Sequence, residues 1–600
     1  MIILVSFIFI VNSILGKGIF DSFLFALALA VGVTPELLPA ITTISLSTSA
    51  ILMAKKKVIV KKLISVEDLG NMDVLCTDKT GTLTKGELLF KEAQDLDGNS
   101  SQEVMLNALL TNDEFTSKGG RITSSSIDQA LWRCELGEKL KLNLPKFTLI
   151  DKNEFSFENK RASVLVTDGN HRFQVSKGSI ESILSICSNA FIRGRKQKLD
   201  DKLRIGLRKR FEDYENFGYK VIAVAKKDEL LGNSIKEIDL TLLGIILLED
   251  PIKETAKDSI AQLISSGVRI VILSGDDSKV VEKIAIETGM DFGNIRVVSG
   301  EDLEKMDENQ FRDCVINCNL FSRLTPEEKY KIVGVLNKEG KVVGFLGDGI
   351  NDSPALKAAD VGIAVDSGAV IAKEAADIVL LSKDLNVLID GIKLGRTTFA
   401  NITKYILNTI SANFGNMSTV ALSSIFLKFI PLLPSQILLN NLISDIPLLA
   451  IVSDSVDKNL LTKPKHWDIR LIGKFMIYFG ILSSIFDMML ILGMIILLKV
   501  DPVVFRTAWF IESSISEIII TFSIRTKLIF FKSRPSLILL ILSIFSILLV
   551  LVLPFIGLGK NFFAFVPLPK QVWMFIIADL ALYFVSCEII KKEFFKRFSN

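Results

Sequence analysis

Apolar and polar positions are segregated along this 600-residue chain. Residues 1–53 and roughly 400–590 are dominated by apolar runs, whereas 55–395 hold most of the charge. About eight runs are long enough to cross a bilayer: 1–16, 21–53, 402–430, 434–453, 470–498, 503–524, 535–557 and 570–590. The second is overlong and interrupted by Pro35 and Pro39. Between 55 and 395 the pattern changes to short apolar strands followed by amphipathic helical stretches, as at 268–275 and 341–349. That alternation predicts a parallel sheet with flanking helices. The fold class expected is a multi-pass α-helical membrane domain plus a cytoplasmic α/β domain with an inserted α+β domain. The expected boundaries are 1–54 for about two membrane helices, 55–88 with 241–395 for the α/β domain, 89–240 for the insert, and 396–600 for about six further helices.

Composition sharpens this picture. A hydrophobic fraction of 49% and a mean hydropathy of +0.42 call for a membrane protein, while 23% charged residues exclude one wholly buried in lipid. Basic clusters at 55–62, 458–474, 525–534 and 591–597 alternate with loops that carry few basic residues. The positive-inside rule then puts the large soluble region and the C-terminus in the cytoplasm, at a cell membrane. Six cysteines without paired spacing argue against a disulfide framework or a zinc site, and two histidines against a histidine metal site. The net charge of +3 selects no partner, and nucleic acid is not expected. The opening MIILVSFIFIVNSIL has neither a basic leader nor a small-residue cleavage site, unlike a signal sequence.

The chemistry begins at Cys76-Thr77-Asp78-Lys79-Thr80-Gly81-Thr82-Leu83-Thr84, which follows the apolar Val74 and Leu75 as a loop follows a strand. An aspartate there can act as a carboxylate nucleophile toward a phosphoryl group. Two residues on, Thr80 offers neither acid nor base at neutral pH, so an aspartyl-phosphate should persist. Asp78, Ser274 and Asp348 each follow an apolar run, and a parallel sheet gathers such positions at one edge. Asp78, Asp348 and Asp352 are hard oxygen donors suited to Mg²⁺ bound with phosphate. The chain has no Gly-x-x-x-x-Gly-Lys loop, so a nucleotide would not be held by a P-loop.

The run DKTGTLT resembles the phosphorylation motif of P-type ion-pumping ATPases, with the magnesium-transporting branch the nearest match. Ser274-Gly275-Asp276, Gly347-Asp348-Gly349-Ile350-Asn351-Asp352 and Thr34-Pro35-Glu36-Leu37-Leu38-Pro39 are similar to three more of its motifs. The resemblance implies a haloacid-dehalogenase-like phosphorylation domain and ATP and Mg²⁺ as cofactors. It implies Asp78 as the phosphorylated residue, with Thr80, Ser274, Lys329 and Asn351 around it. By the resemblance, Lys329 matches the family's lysine that neutralises transferring charge, and Asn351 an Asn that hydrogen-bonds within the site. Asp78, Asp348 and Asp352 form the metal set. For the nucleotide it implies Phe155 as the stacking ring, with Lys160, Lys177, Gly178, Ser274, Gly275 and Asp276. Asp250-Pro251 resembles a hinge of the family. The family also has two earlier membrane helices and an actuator domain with a Thr-Gly-Glu motif. No Thr-Gly-Glu occurs here, so the expectation is a fragment or truncated gene product, or a separate actuator chain as partner.

In the membrane part, prolines four apart interrupt helical hydrogen bonding, which frees the carbonyls of Val31 and Pro35 from their usual partners. Glu36 sits in the break, and an intramembrane carboxylate is a functional candidate by default. Asn413 with Asn416, and Asn441 with Asp445, are each about one turn apart. All four match ion-site positions of the family. Glu36 and Asp445 balance one divalent cation, and the pattern fits one Mg²⁺ better than two Ca²⁺. Asp487, Glu512 and Glu517 receive no role. The leading reading is ATP-driven transport of a cation, with Mg²⁺ favoured, through an aspartyl-phosphate. The alternatives are an inactive partial pump, a proton, other cation or lipid pump, or a soluble-type phosphohydrolase.

Overall fold

The computed structural model describes residues 2–32, 34–79, 83–116, 125–156, 158–228, 234–290, 296–382 and 384–598. The chain divides into two compact units, residues 1–72 with 388–600, and residues 73–387.

The first unit is helical. Its principal helices are α1 (Ile2–Ile14), α2 (Ile19–Gly32), α3 (Leu38–Lys55), α4 (Asn386–Phe426), α5 (Pro434–Leu448), α6 (Ile469–Leu492), α7 (Pro502–Ile524), α8 (Leu537–Val552) and α9 (Lys570–Phe598). Among the described residues, five helical stretches are long and apolar enough to cross a membrane: Leu38–Lys55, Pro434–Ser453, Ile469–Leu497, Leu537–Phe555 and Lys570–Phe598. α1 and α2 are shorter apolar helices. α4 and α7 are long but carry Asn, Ser and Glu among their apolar residues. The overlong run 21–53 resolves into α2 and α3, separated by a turn at the prolines. Phe505, Trp509, Phe510 and Ile511 of α7 belong to an apolar cluster with Ile437 of α5 and Ile576 of α9. Buried Asp454 accepts from Lys404 Nζ, midway along α4, and from Arg525 Nη1, just past the end of α7, each at 2.8 Å.

The second unit holds two sheets. The first contains β1 (Val74–Thr77), β2 (Arg269–Leu273), β3 (Val297–Ser299), β4 (Leu320–Ser322), β5 (Val343–Gly347), β6 (Val361–Val365) and β7 (Ile378–Leu380). They run β7-β6-β5-β1-β2-β4-β3, all parallel. β1, β2 and β5 are almost continuously buried, as strands covered on both faces must be. The second sheet is mostly antiparallel and is built around the strands Arg161–Thr167, Arg172–Gly178, Lys220–Lys227 and Leu240–Glu249.

Strand Leu240–Glu249 differs from the sequence expectation. It belongs to the second sheet, between Lys220–Lys227 and Leu89–Asp95, rather than to the parallel sheet. Its apolar run suits either sheet, and its antiparallel partners decide. The Asp250-Pro251 segment that follows is tied to the 83–86 segment. Asp250 accepts from Thr84 Oγ1 at 2.7 Å and from the Gly86 amide at 2.9 Å, and Lys253 N–H donates to Leu83 O at 3.0 Å. The two connections between the sheets are therefore cross-linked to one another.

Candidate phosphoryl-transfer and cation sites

β1 lies between β2 and β5, with Thr77 level with Ile272 on one side and Leu346 on the other. The residues that follow those strands, Asp78, Ser274 and Asp348, therefore emerge together at one sheet edge, where open α/β sheets bind ligands. The Asp78 amide still donates to Leu346 O at 3.0 Å, which extends the ladder to the nucleophile itself.

The helix Pro326–Lys338 delivers Lys329. Pro326 occupies its first turn, and Thr325 and Glu328 form a capping box in which side chain and backbone satisfy each other. Lys329 lies one residue beyond that box and is only 4% exposed. Its ammonium spans two carboxylates, at 3.2 Å from Asp78 Oδ2 and 2.8 Å from Asp352 Oδ1. Burial works against this ammonium, but Asp78 and Asp352 outweigh it and hold its pKa above the ordinary lysine value. Asp78 accepts from the Lys79 amide at 2.8 Å through Oδ1. Burial, helped by nearby Asp352 and opposed by Lys329, pushes the Asp78 carboxyl up to about 6. Burial and Asp352 likewise raise Asp348.

Asp78, Asp348 and Asp352 gather here, with the ammonium of Lys329 between two of them and that of Lys253 acting on Asp348, an acidic surplus that suits a divalent cation. Asp78 and Asp348 fit as Mg²⁺ ligands. Among the described residues no three acidic, histidine or cysteine side chains form a complete metal cage. Mg²⁺ on a nucleotide keeps phosphate oxygens and waters and takes only one or two carboxylates, so none is required. Asp352 is the third member of the expected metal set. Its Oδ1 accepts from Lys329 and its Oδ2 from the Gly349 amide at 3.2 Å, so both oxygens are engaged in holding the loop and the lysine.

Ser274 is buried and turned toward its own loop. Its Oγ donates to Asp276 Oδ2 at 3.0 Å and accepts from the Asp276 amide at 3.1 Å. Asp276, expected at the nucleotide, pairs with Lys79 at 2.9 Å, which links this loop to the residue after the nucleophile. Around Gly275 a Cβ would meet nothing closer than Leu324 O at 3.6 Å, which leaves room beside the loop. Asn351 was expected to hydrogen-bond within the site. It is exposed on a short 3₁₀ turn, and its side chain makes no hydrogen bond among the described residues. Thr80 lies outside the described residues.

In the second sheet, Phe155 is 56% exposed on the segment after strand Thr148–Asn153. Lys160 is exposed with a left-handed φ of 52° and donates its amide to Ser156 O at 2.7 Å. Gly178 pairs with Arg161 across the ladder, and a Cβ there would fall 2.5 Å from Lys160 O. Only glycine lets these strands approach so closely. Phe155, Lys160 and Gly178 therefore share one end of the sheet. Lys177 does not join them. Its side chain is buried and ion-paired with Asp128, a residue the sequence reading missed. The available signal was Ser125-Ser126-Ile127-Asp128, where Ser125 caps the helix Ser126–Arg133 through the Asp128 amide.

In the helical unit, the break between α2 and α3 lies where the prolines predict it. The Val31 and Pro35 carbonyls are nevertheless not free. Thr34 donates to Val31 O through its amide at 3.0 Å and its hydroxyl at 2.6 Å, and the Leu38 amide donates to Pro35 O at 3.2 Å. Pro35 and Pro39 lack the usual i+4 donors, and i+3 donors take their place.

Glu36 sits exposed in that turn, within electrostatic range of half-buried Asp445. Asn441 reaches the end of α2, its Nδ2 lying 3.0 Å from where a Gly32 Cβ would stand. Glu36, Asn441 and Asp445 are thus brought together. Asn416 turns elsewhere, bonding Ser513 Oγ at 3.0 Å and Glu517 Oε1 on α7. Asn440 joins it there, donating to Ser513 Oγ at 3.3 Å and Glu517 Oε1 at 3.4 Å. Asn413 is half-buried and makes no side-chain hydrogen bond among the described residues. Asn413 thus stands apart, residues three apart on a helix diverging by about 60°, while Asn416 meets the Glu36–Asp445 group through Glu517, which lies within electrostatic range of Asp445. Glu517, to which the sequence assigned no role, is the carboxylate that Asn416 and Asn440 hold.

Residues 72–360 match the family model of haloacid dehalogenase-like hydrolases, and residues 429–592 match that of the cation transporting ATPase C-terminus. The whole chain is 37% identical to the "Magnesium-transporting ATPase, P-type 1" of Escherichia coli K12. It is 38% identical to the protein of that name from Salmonella typhimurium LT2. It spans 67% of the length of each. "Calcium-transporting ATPase 1" of Lactococcus lactis is 30% identical over 74% of this chain and 53% of its own length. An aspartate, a lysine and an acidic loop gathered at a parallel sheet edge, a broken apolar helix with its carboxylate, and similarity over the whole of this chain place it in the family of P-type cation-transporting ATPases, ion pumps that hydrolyse ATP.

Proposed function

We propose that the chain forms the phosphorylated and ion-binding parts of a pump that moves Mg²⁺ across a cell membrane. The observation that carries this reading is Lys329 spanning Asp78 and Asp352 at the end of β1. An Asp78 carboxylate oxygen attacks the γ-phosphorus of ATP, the bond to the β-phosphate oxygen breaks, and ADP leaves. The product is an aspartyl-phosphate. The Lys329 ammonium lies beside the attacking carboxylate, where negative charge accumulates on the transferring group. Asp352 holds that ammonium in place, and the Lys79 amide orients Asp78. Mg²⁺ bound with the nucleotide, held by Asp78 and Asp348, would neutralise phosphate charge. Phe155, Lys160 and Gly178 form the nucleotide end of the second sheet, and the loop Ser274–Asp276 closes the near side.

For the transported ion, Glu36, Asn441 and Asp445 form the principal site, with Asn416 and Glu517 completing the polar path across α4, α5 and α7. Two carboxylates beside neutral amides suit one divalent cation, and the magnesium-transporting relatives match the whole of this chain. The basic clusters support a cytoplasmic position for the second unit. The test is ATP-driven ion flux in proteoliposomes. Glu36→Gln and Asp445→Asn should each reduce Mg²⁺ flux to background while ATP-analogue binding persists. Flux of Ca²⁺ without flux of Mg²⁺ in the unmodified protein would reassign the ion.

A further inference from the structure

The helical unit buries a second group of carboxylates that the cation site does not use. Asp487 on α6, Glu512 on α7 and Asp579 on α9 are 2%, 1% and 2% exposed. Asp487 Oδ1 accepts from Trp509 Nε1 at 3.2 Å. Four of their oxygens are buried without a hydrogen-bond partner among the described residues: Asp487 Oδ2, Glu512 Oε2 and both oxygens of Asp579. Asp487 and Glu512 face one another, and Asp579 acts electrostatically on both.

Among the described residues, no basic side chain is among the main electrostatic influences on the three. The groups that act on the three are Thr419 of α4, Trp509, Ser516 and Glu517 of α7, and Tyr583 of α9. Cys587 is the next titratable group along α9, through Tyr583. None is a lysine, arginine or histidine. On its other side Asp579 lines an otherwise apolar cavity of about 510 Å³, walled by Gly493, Ile496, Phe575 and Leu582. α6 gives way there to a π-helical turn, Gly493–Leu497, a distortion that often accompanies a functional site. Three uncompensated charges in such an environment would be prohibitive, so a bound cation must neutralise them. The oxygens do not gather into a metal cage among the described residues. A proton needs no cage. One proton added to Asp487 or Glu512 is donated to the facing carboxylate and satisfies an orphaned acceptor on each, and a second on Asp579 removes its charge.

We propose that Asp487, Glu512 and Asp579 form a proton-binding site in the membrane unit, distinct from the cation site at Glu36 and Asp445. Infrared difference spectroscopy on the full chain reads the carbonyl stretch of protonated carboxylic acids. Such a band should be present at neutral pH, should survive saturating Mg²⁺, and should lose intensity in Asp579→Asn and again in Asp487→Asn. Trp509 supplies a second readout through its hydrogen bond to Asp487. With Trp132, Trp467 and Trp573 replaced by Phe, Trp509 emission should shift with pH, and Asp487→Asn or Glu512→Gln should flatten that titration. The isosteric amides retain shape, and retained Trp509 emission reports that the variants fold. A band unchanged in every variant, a band erased by Mg²⁺ alone, or a pH-independent Trp509 in the parent would each overturn the assignment.

Discussion

The phosphoryl site and the membrane cation site are both assembled from distant parts of the chain, but by different means. At the sheet edge, position along the chain decides the outcome. A residue that follows a parallel strand must emerge at the carboxyl edge, so Asp78, Ser274 and Asp348 meet. In the helix bundle, the decisive variable is rotation about each helix axis, which spacing alone does not supply. Asn441 and Asp445 turn toward the break at Glu36, while Asn416 turns toward Glu517 on α7. Sheets convert sequence order into sites, whereas bundles also require knowledge of which helix stands opposite.

The comparison can be strained first at the nucleophile. Lys329→Met removes the ammonium beside Asp78, and phosphorylation should slow about 10²- to 10³-fold, as measured by rapid-quench labelling. A rate within a few-fold of the parent would show that geometry at the sheet edge does not reflect chemistry.

On the membrane side, Glu517→Gln should weaken Mg²⁺-stimulated turnover by about tenfold or more, and Asn413→Ala by less than threefold, since only Glu517 is engaged with the polar network. Steady-state ATPase assays separate them, and the reverse order would restore the undivided Asn413–Asn416 set.

The second sheet supplies a stability test. Asp128→Asn strips the partner from buried Lys177 and should cost about 3–5 kcal/mol of stability in denaturant melts. Gly178→Ala forces a Cβ against Lys160 O and should cost about 1–3 kcal/mol, together with weaker ATP binding. Phe155→Ala should leave stability within about 0.5 kcal/mol, because the ring is largely exposed, while weakening ATP binding.

Much of this was legible in the sequence. Prolines 35 and 39 set the break between α2 and α3, and alternation of strands with helices gave the parallel sheet. The DKTGTLT and GDGIND runs located the loops at its edge. Other features were not, for identifiable reasons. Strand Leu240–Glu249 is apolar throughout, so its sheet is set by hydrogen-bond partners that no local pattern specifies. The Val31 and Pro35 carbonyls find i+3 donors, because a turn can satisfy acceptors that a helix would orphan. Lys177 carries the same charge whether it meets a phosphate or Asp128, and only the fold brings Asp128 beside it. Asp454, which joins Lys404 and Arg525, depends likewise on residues 50 and 71 positions away.

The central claim is that Asp78, held by Lys329, is the residue that takes the phosphoryl group. The most direct measurement is to label the purified chain with γ-phosphate-labelled ATP in Mg²⁺, quench in acid, and map the labelled peptide. The account predicts acid-stable, hydroxylamine-labile label on the peptide that contains Asp78, and none in Asp78→Asn. Label on another peptide, or equal label in Asp78→Asn, would contradict it.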